Sequence, residues 1–78
     1  MISSKQIRAA RVFLEWSQKE LAMAAKLSLP TIQRMETLGP ERSSAGNVEK
    51  LQRAMEAAGI EFIYENGVGV RFRERSGS

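Results

Sequence analysis

The stretch Trp16-Ser17-Gln18-Lys19-Glu20-Leu21-Ala22 contains two independent signals for the start of a helix. Ser17 and Glu20 have the spacing of a capping box, in which the hydroxyl and the carboxylate each accept a backbone N–H that lacks a helical partner. Trp16 and Leu21 occupy the positions on either side of this cap that pack together in a hydrophobic staple. The stretch therefore predicts a helix whose direction is fixed by its own side chains.

A second helix is predicted after a short turn. The Ser28 hydroxyl can accept a first-turn N–H, and Pro30 is tolerated there because first-turn N–H groups have no helical partner. Pro30 disfavours the α conformation for Leu29, so the helix could begin one residue late. We expect it to run from about Leu29 to Thr37, and we interpret residues 38–44 as a loop because they contain a Gly-Pro pair.

Two further helices flank this pair. A cap at Ser3 opens a first helix that runs to about Glu15, with apolar residues on one face of a 3.6-residue period. A fourth helix begins at a cap supplied by Ser44 or Asn47 and ends at Gly59, which is placed to adopt a left-handed conformation.

The end of the chain changes to an alternating pattern. Large apolar residues recur at every second position over residues 60–64 and again over residues 68–72, with an Asn66-Gly67 turn signal between them, which predicts a β-hairpin. The predicted fold class is thus mainly α, with four helices followed by a C-terminal β-hairpin. We interpret residues 75–78 as a disordered tail or a cloning remnant.

The hydrophobic pattern also constrains the hairpin register. A two-residue loop would set Phe62 opposite Arg71, whereas an odd loop of three or five residues sets Phe62 opposite Phe72 and Tyr64 opposite Val70. The second register is favoured because apolar residues then share one face. A lone two-stranded ribbon is marginally stable in water, so we expect the hairpin to pack on the helices, to pair with a second copy, or to do both.

Composition excludes several kinds of site. The chain of 78 residues has no cysteine and no histidine, which leaves no disulfide, no Cys/His zinc site, no thiol nucleophile and no imidazole base. Its carboxylates are scattered over predicted helix faces, so we expect no enzyme, no metal and no cofactor. Because no apolar run approaches the roughly eighteen residues that span a bilayer and no signal-peptide pattern is present, we expect a cytoplasmic protein.

The positive charge is concentrated in one part of the chain. The formal net charge is +3. Residues 37–78 carry equal numbers of bases and acids, so the whole excess lies in residues 1–36. Such a distribution is expected if this segment binds a polyanion. The bases of that segment are Lys5, Arg8, Arg11, Lys19, Lys26 and Arg34, and its acids are Glu15, Glu20 and Glu36.

The two central helices resemble the helix-turn-helix of the phage-repressor (Cro/cI, XRE) family. The resemblance extends from Ile7 to Glu36, and the runs that carry it are Gln18–Ala22, Leu27–Ser28, Thr31–Ile32 and Arg34–Glu36. Residues 58–67 resemble an extension found in many short bacterial members. The resemblance implies a lambda-repressor-like helix-turn-helix domain over residues 1–59 and a hairpin for dimerisation over residues 60–74. It also implies a bacterial, nucleoid-associated transcription regulator that binds operator DNA as a homodimer.

The resemblance assigns roles to individual residues. Arg34 can make a bidentate contact with guanine, and Gln33 can read adenine. Gln18 matches a position that grips a phosphate, and Arg11 and Glu36 match a partly buried ion pair between the first and third helices. The implied base contacts are Leu29, Pro30, Thr31, Gln33 and Arg34, the phosphate contacts are Gln18, Lys19, Lys26 and Ser28, and the dimer interface is Phe62, Tyr64, Val70 and Phe72.

One position departs from the family pattern. Lys26 stands in the turn where glycine is common, and a left-handed conformation there costs a non-glycine residue roughly 1 kcal/mol. Lys26 also lies near the expected phosphate, so attraction between its charge and the phosphate could compensate for this conformational cost. Glu15 likewise ends the first helix where related sequences often have glycine.

Two functions follow from these features. The first is a sequence-specific DNA-binding regulator, most simply a repressor, that binds a near-palindromic operator as a homodimer. The alternative is a protein-binding module, such as an antitoxin or antiactivator, that uses exposed apolar surface at Val12, Phe13 and the hairpin. For the hairpin itself, pairing between two copies competes with packing on its own helices over Phe13 and Met55.

Overall fold

The computed structural model describes residues 2–64 and 69–73 of the chain. Within these residues the fold is mainly helical and ends in an antiparallel two-stranded hairpin, which confirms the predicted fold class at this level. The predicted Asn66-Gly67 turn and the tail of residues 75–78 lie outside the described residues. The elements are α1 (Ser4–Phe13), α2 (Gln18–Ala25), α3 (Leu29–Leu38), a 3₁₀ turn (Pro40–Arg42), α4 (Ala45–Ala57), β1 (Ile60–Ile63) and β2 (Gly69–Phe72).

Complete capping boxes begin α1 and α2. The Ser3 hydroxyl accepts the Gln6 N–H at 3.2 Å while the Gln6 side chain accepts the Ser3 N–H at 2.9 Å. Ser17 and Glu20 exchange the same two bonds at 3.0 and 2.7 Å. Both starts therefore follow from local sequence, since each box satisfies two N–H groups that the helix itself leaves without a partner.

Serines also cap the other two helices. Ser28 caps α3, and Leu29 is its first residue, so the one-residue delay that the following proline suggested does not occur. At α4 the cap is Ser44, whose hydroxyl accepts the Asn47 N–H at 3.1 Å, so the alternative cap at Asn47 is wrong. The third helix extends one residue past the predicted end, to Leu38, and part of the predicted loop forms the 3₁₀ turn.

Non-glycine residues in the left-handed conformation end both α1 and α2. Lys26 has φ 58° and ψ 44°, and the Leu27 N–H donates back to the Ala22 carbonyl at 2.9 Å. These features form a Schellman motif, whose left-handed position usually holds glycine. Glu15, with φ 58°, occupies the same position after α1. The first helix therefore ends at Phe13, two residues earlier than predicted.

One hydrophobic core joins the helices and the hairpin. Helix α2 contacts both α3 and α4, α1 contacts α3, β1 packs on α4, and β2 packs on α1. The hairpin is thus an integral part of the fold and not an appended ribbon. The buried apolar residues that form this core are Ile2, Ile7, Ala10, Leu21, Ala22, Ile32, Met35, Val48, Leu51, Met55, Ile60 and Phe62.

The hairpin register corrects the predicted strand partners. Phe62 pairs with Val70 and Ile60 with Phe72, two residues away from the expected pairing of Phe62 with Phe72 and of Tyr64 with Val70. The even shift keeps the same residues on the apolar face, so the argument against a two-residue loop holds. The observed register places Ile60 and Phe62, which are 3% and 8% exposed, over the helical core, and it leaves Tyr64 outside the paired strands.

Candidate nucleic-acid interface

The third helix has one buried and one exposed side. Ile32 and Met35 have no exposed surface and anchor the helix in the core. On the opposite side Pro30, Gln33 and Arg34 are exposed. Three of the five predicted base contacts therefore lie together on the solvent side of α3. Leu29 at its first position is 37% exposed, and Thr31 is half-buried.

A buried carboxylate holds α3 against α1. The Glu36 side chain is 3% exposed and accepts hydrogen bonds from the Arg11 guanidinium at 2.7 and 3.1 Å. Arg11 also donates to the Trp16 carbonyl at 3.0 Å, and Arg8 donates to the Glu36 carbonyl. The predicted contact between Arg11 and Glu36 is present in the structure. It fixes the angle between α1 and α3, because a forked guanidinium bonded to two elements tolerates little rotation of either.

The start of α2 meets the same carboxylate. Gln18, the predicted phosphate contact, is half-buried and donates from Nε2 to Glu36 Oε1 at 3.2 Å. Within the described residues, the backbone N–H groups of Gln18 and Lys19 have no acceptor. Free N–H groups at a helix start favour an anion. The anion-binding capacity at this point therefore comes from the backbone of α2 and from the exposed Lys19 side chain, with Gln18 held in place beside them.

The turn between α2 and α3 contributes one cation and one pair of hydroxyls. Lys26 is exposed, and its left-handed backbone turns the chain into α3. The Ser28 hydroxyl lies 2.8 Å from the Thr31 hydroxyl and accepts the Thr31 N–H at 3.3 Å. Ser28 and Thr31, predicted to contact a phosphate and a base respectively, therefore bond to each other at the helix start.

The cations of this surface are not neutralised by the fold. Lys19, Lys26 and Arg34 are exposed, and no carboxylate among the described residues lies within ion-pair distance of any of them. Other cations do form ion pairs: Arg53 with Glu49 at 3.4 Å on α4, and Arg71 and Arg73 of the hairpin with Glu61. Lys5, Arg42 and Lys50 are also exposed without an ion-pair partner among the described residues. What sets Lys19, Lys26 and Arg34 apart is that they lie on α2, on the turn after it and on the exposed side of α3.

The predicted dimer residues have three different environments. Phe62 lies in the core of its own chain, so its assignment to a dimer interface is wrong: it has almost no surface left for a partner. Val70 packs partly against the same core. Tyr64 and Phe72 are 50% and 44% exposed. The Phe72 ring lies 5.2 Å from the Phe13 ring, so the hairpin does pack on the helices of its own chain.

Sequence reasoning assigned Gln6 only to a helix cap and missed its contact with the hairpin. The side chain is 2% exposed, and its Nε2 donates to the Ile63 carbonyl at 3.1 Å and to the Gly69 carbonyl at 2.9 Å. These two residues are partners in the hairpin. One amide therefore fixes both strands to the start of α1. No pattern in the local sequence indicates this contact, because Gln6 and Ile63 are 57 residues apart.

Comparison with known proteins gives no family for this chain. No family model matches the chain, and a search of curated proteins found no match. Across residues 2–64 and 69–73, no helix is long and apolar enough to cross a membrane.

Proposed function

We propose that this chain is a DNA-binding transcriptional regulator of the helix-turn-helix type, similar to the phage-repressor family, and that it acts as a repressor. The observation that carries the proposal is the exposed side of α3. Arg34 and Gln33 project from that side, and the unneutralised cations Lys19 and Lys26 lie on the preceding helix and turn. A protein that reads DNA needs both kinds of group, since cations bind phosphates and forked donors bind base edges.

The side chains of α3 match the chemistry of the major groove. An arginine can donate two hydrogen bonds to guanine O6 and N7, and a glutamine can bond adenine N6 and N7. In our proposal Arg34 and Gln33 have these roles, and Leu29 or Pro30 contacts a thymine methyl group. Lys19, Lys26 and the free N–H groups at the start of α2 bind the flanking phosphates. The ion pair between Arg11 and Glu36 holds α3 at a fixed angle to α1, so α3 would enter the groove in one orientation.

A single α3 helix reads only a short sequence, so we propose that two copies bind a near-palindromic site. Their α3 helices would then lie one turn of DNA apart, about 34 Å. A two-fold protein on a two-fold site doubles the number of base contacts without any new surface.

The proposal is tested with three arginine variants. Arg34→Ala should weaken binding to a selected DNA site by about 1–3 kcal/mol and relax base preference at one position. Arg34→Lys keeps the charge but loses the fork, so binding to random DNA should be retained while the base preference is lost. Arg53→Ala is the matched control, since Arg53 is exposed on α4 and paired with Glu49. Fluorescence anisotropy with selected and random duplexes measures all three.

Two results would oppose the proposal. If Arg34→Ala weakens binding to selected and random DNA equally, Arg34 does not read a base. If wild-type affinity for DNA hardly changes with salt, phosphate contacts are not the source of binding, because each contact releases counterions and makes affinity salt-dependent.

A protein-binding function is the second candidate. It is favoured by the exposure of Val12 and Phe13, which are 64% and 56% exposed at the end of α1. In this case the chain would act as an antitoxin or antiactivator that covers another protein, with DNA binding secondary or lost. The affinity of such a complex would change little with salt concentration, whereas affinity for DNA falls as salt rises. A salt titration of binding therefore separates the two functions.

A further inference from the structure

Two hydroxyl groups bond to each other at the start of α3. The Ser28 and Thr31 hydroxyl oxygens are 2.8 Å apart, and the Ser28 oxygen also accepts the Thr31 N–H at 3.3 Å. Among the described residues, neither hydroxyl has a partner outside this pair. Residues three apart are neighbours on the surface of a helix, so Thr31 lies beside Arg34, one turn towards the helix start. The hydroxyl pair is therefore next to the side chain that, in our proposal, reads guanine.

The direction of the bond between the two hydroxyls decides what Thr31 can recognise. A hydroxyl donates one hydrogen bond and accepts up to two, and either member of this pair can be the donor. If Ser28 donates, Thr31 keeps its own hydrogen and can give it to a carbonyl oxygen, guanine O6 or thymine O4. If Thr31 donates, its oxygen only accepts and can bond only an amino group, adenine N6 or cytosine N4. Ser28 thus selects the class of base that Thr31 reads.

A DNA phosphate beside Ser28 would fix that direction. Ser28 is exposed, and Lys26 two residues before it is an exposed cation without an ion-pair partner among the described residues. The first turn of α3 also favours an anion at this point. Since phosphate oxygens only accept, Ser28 would give its one hydrogen to the phosphate, and Thr31 must then donate to Ser28. Neighbouring hydrogen bonds polarise one another, so a Ser28 hydroxyl that donates to an anion also accepts more strongly from Thr31.

We propose that Ser28 is a positioning residue that makes Thr31 an acceptor, so that Thr31 reads an amino-bearing base, adenine or cytosine. The inference rests on the proposed function, because it requires α3 in the major groove. It adds a base preference at one position besides those that Arg34 and Gln33 read. Loss of one hydrogen bond changes affinity roughly fivefold, so we expect amino-bearing bases to be preferred over carbonyl-bearing bases by about that factor.

Selection of bound duplexes from a random library, with the full chain and its variants, tests this inference. Thr31→Val keeps the β-branched shape and removes the oxygen, so the position that loses its preference is the one that Thr31 reads. Ser28→Ala frees the Thr31 hydrogen, so both classes of base should be accepted at that position. Ser44→Ala is the matched control, because Ser44 caps α4 through an equivalent bond from the Asn47 N–H at 3.1 Å. The control should keep every preference, and thermal melting shows that each variant is folded.

Ser28→Asp distinguishes the two directions of the bond. Aspartate also caps helices well, but its carboxylate only accepts, so Thr31 must donate to it. We expect this variant to bind all duplexes more weakly, because the carboxylate repels the phosphate, and to keep the wild-type class of base at the Thr31 position. If Ser28 were the donor in the wild type, the same variant would invert that class.

Three results overturn the inference. They are an inverted class of base in Ser28→Asp, an unchanged preference in Ser28→Ala, and a Thr31→Val variant that keeps the wild-type preference at every position. These results are separate from failure of the proposed function. If Arg34→Ala changes a base preference while Thr31→Val changes none, α3 still reads DNA and only the role of the hydroxyl pair is wrong. If the wild type enriches no sequence, both proposals are wrong.

Discussion

The buried carboxylate of Glu36 offers the sharpest test of how the helices are held together. It accepts two hydrogen bonds from Arg11 and one from Gln18, so Glu36→Ala would remove the only described anion beside the Arg11 guanidinium. Removal of one partner from a buried ion pair costs about 3–5 kcal/mol, since the other charge is left uncompensated. Arg11 is 19% exposed and keeps its bond to the Trp16 carbonyl, which reduces the penalty.

We therefore expect Glu36→Ala to lower the free energy of unfolding by about 2–4 kcal/mol. In a domain of this size, where each kcal/mol shifts the melting temperature by about 4–8 °C, this loss corresponds to roughly 8–32 °C. Urea denaturation followed by circular dichroism measures the loss directly. The double variant Arg11→Met/Glu36→Leu is the matched control, because it removes both charges and should recover most of the stability.

Two outcomes would refute this reasoning. If Glu36→Ala lowers the free energy of unfolding by less than about 1 kcal/mol, the pair of Arg11 and Glu36 contributes no more than an exposed ion pair does. A double variant as unstable as the single one would mean that the cost comes from lost packing and not from an uncompensated charge.

Three further predictions concern the turn and the hairpin. Lys26→Gly should stabilise the fold by about 1 kcal/mol in urea denaturation, because glycine adopts the left-handed conformation without strain; a loss of stability would show that the lysine is not strained. Gln6→Ala should lower stability by about 1–3 kcal/mol and speed hydrogen exchange in the hairpin before the helices, whereas unchanged exchange there would contradict its role as a clamp. Hydrogen bonds from Arg71 and Arg73 hold the pKa of the Glu61 carboxyl below its usual range. Because these bonds favour the ionised carboxylate in the folded state, they stabilise the fold. This stabilisation is fully present above the unfolded pKa of Glu61, about 4.3, and is lost as the pH falls through its lower folded pKa. Glu61→Gln should lose this part of the acid dependence, and identical acid profiles for variant and wild type would refute it.

Local sequence predicted the features that depend on neighbouring residues. The serine caps of α1, α2 and α3 could be read directly, because a cap involves residues only three positions apart. The left-handed conformation at Lys26 was suggested only by the family resemblance, which commonly has glycine at this turn position. The choice between Ser44 and Asn47 could not be made, since both offer a suitable acceptor and only the direction of the preceding chain decides between them.

Features that depend on distant contacts were predicted less well. Alternation in the sequence predicts the faces of the hairpin, but it cannot distinguish registers that differ by two residues, because both keep the same faces. The observed register places Ile63 opposite Gly69, where Gln6 bonds both carbonyls. Since Gln6 lies 57 residues before Ile63, no local pattern relates them. Phe62 was assigned to a partner surface for the same reason, although the helices of its own chain cover it.

The candidate interface combines both kinds of information. The sequence predicts which residues of α3 carry hydrogen-bond donors. The structure adds that Gln33 and Arg34 lie on the exposed side and that Gln18 is held by Glu36.

The central proposal, that the exposed side of α3 reads DNA as part of a two-fold dimer, is tested most directly by selection of bound duplexes from a random library with the purified protein. We predict an enriched site made of two inverted half-sites whose centres lie about 10 base pairs apart. Arg34→Ala should change the preferred base at one symmetric pair of positions. A library that shows no enrichment after repeated rounds would contradict the proposal.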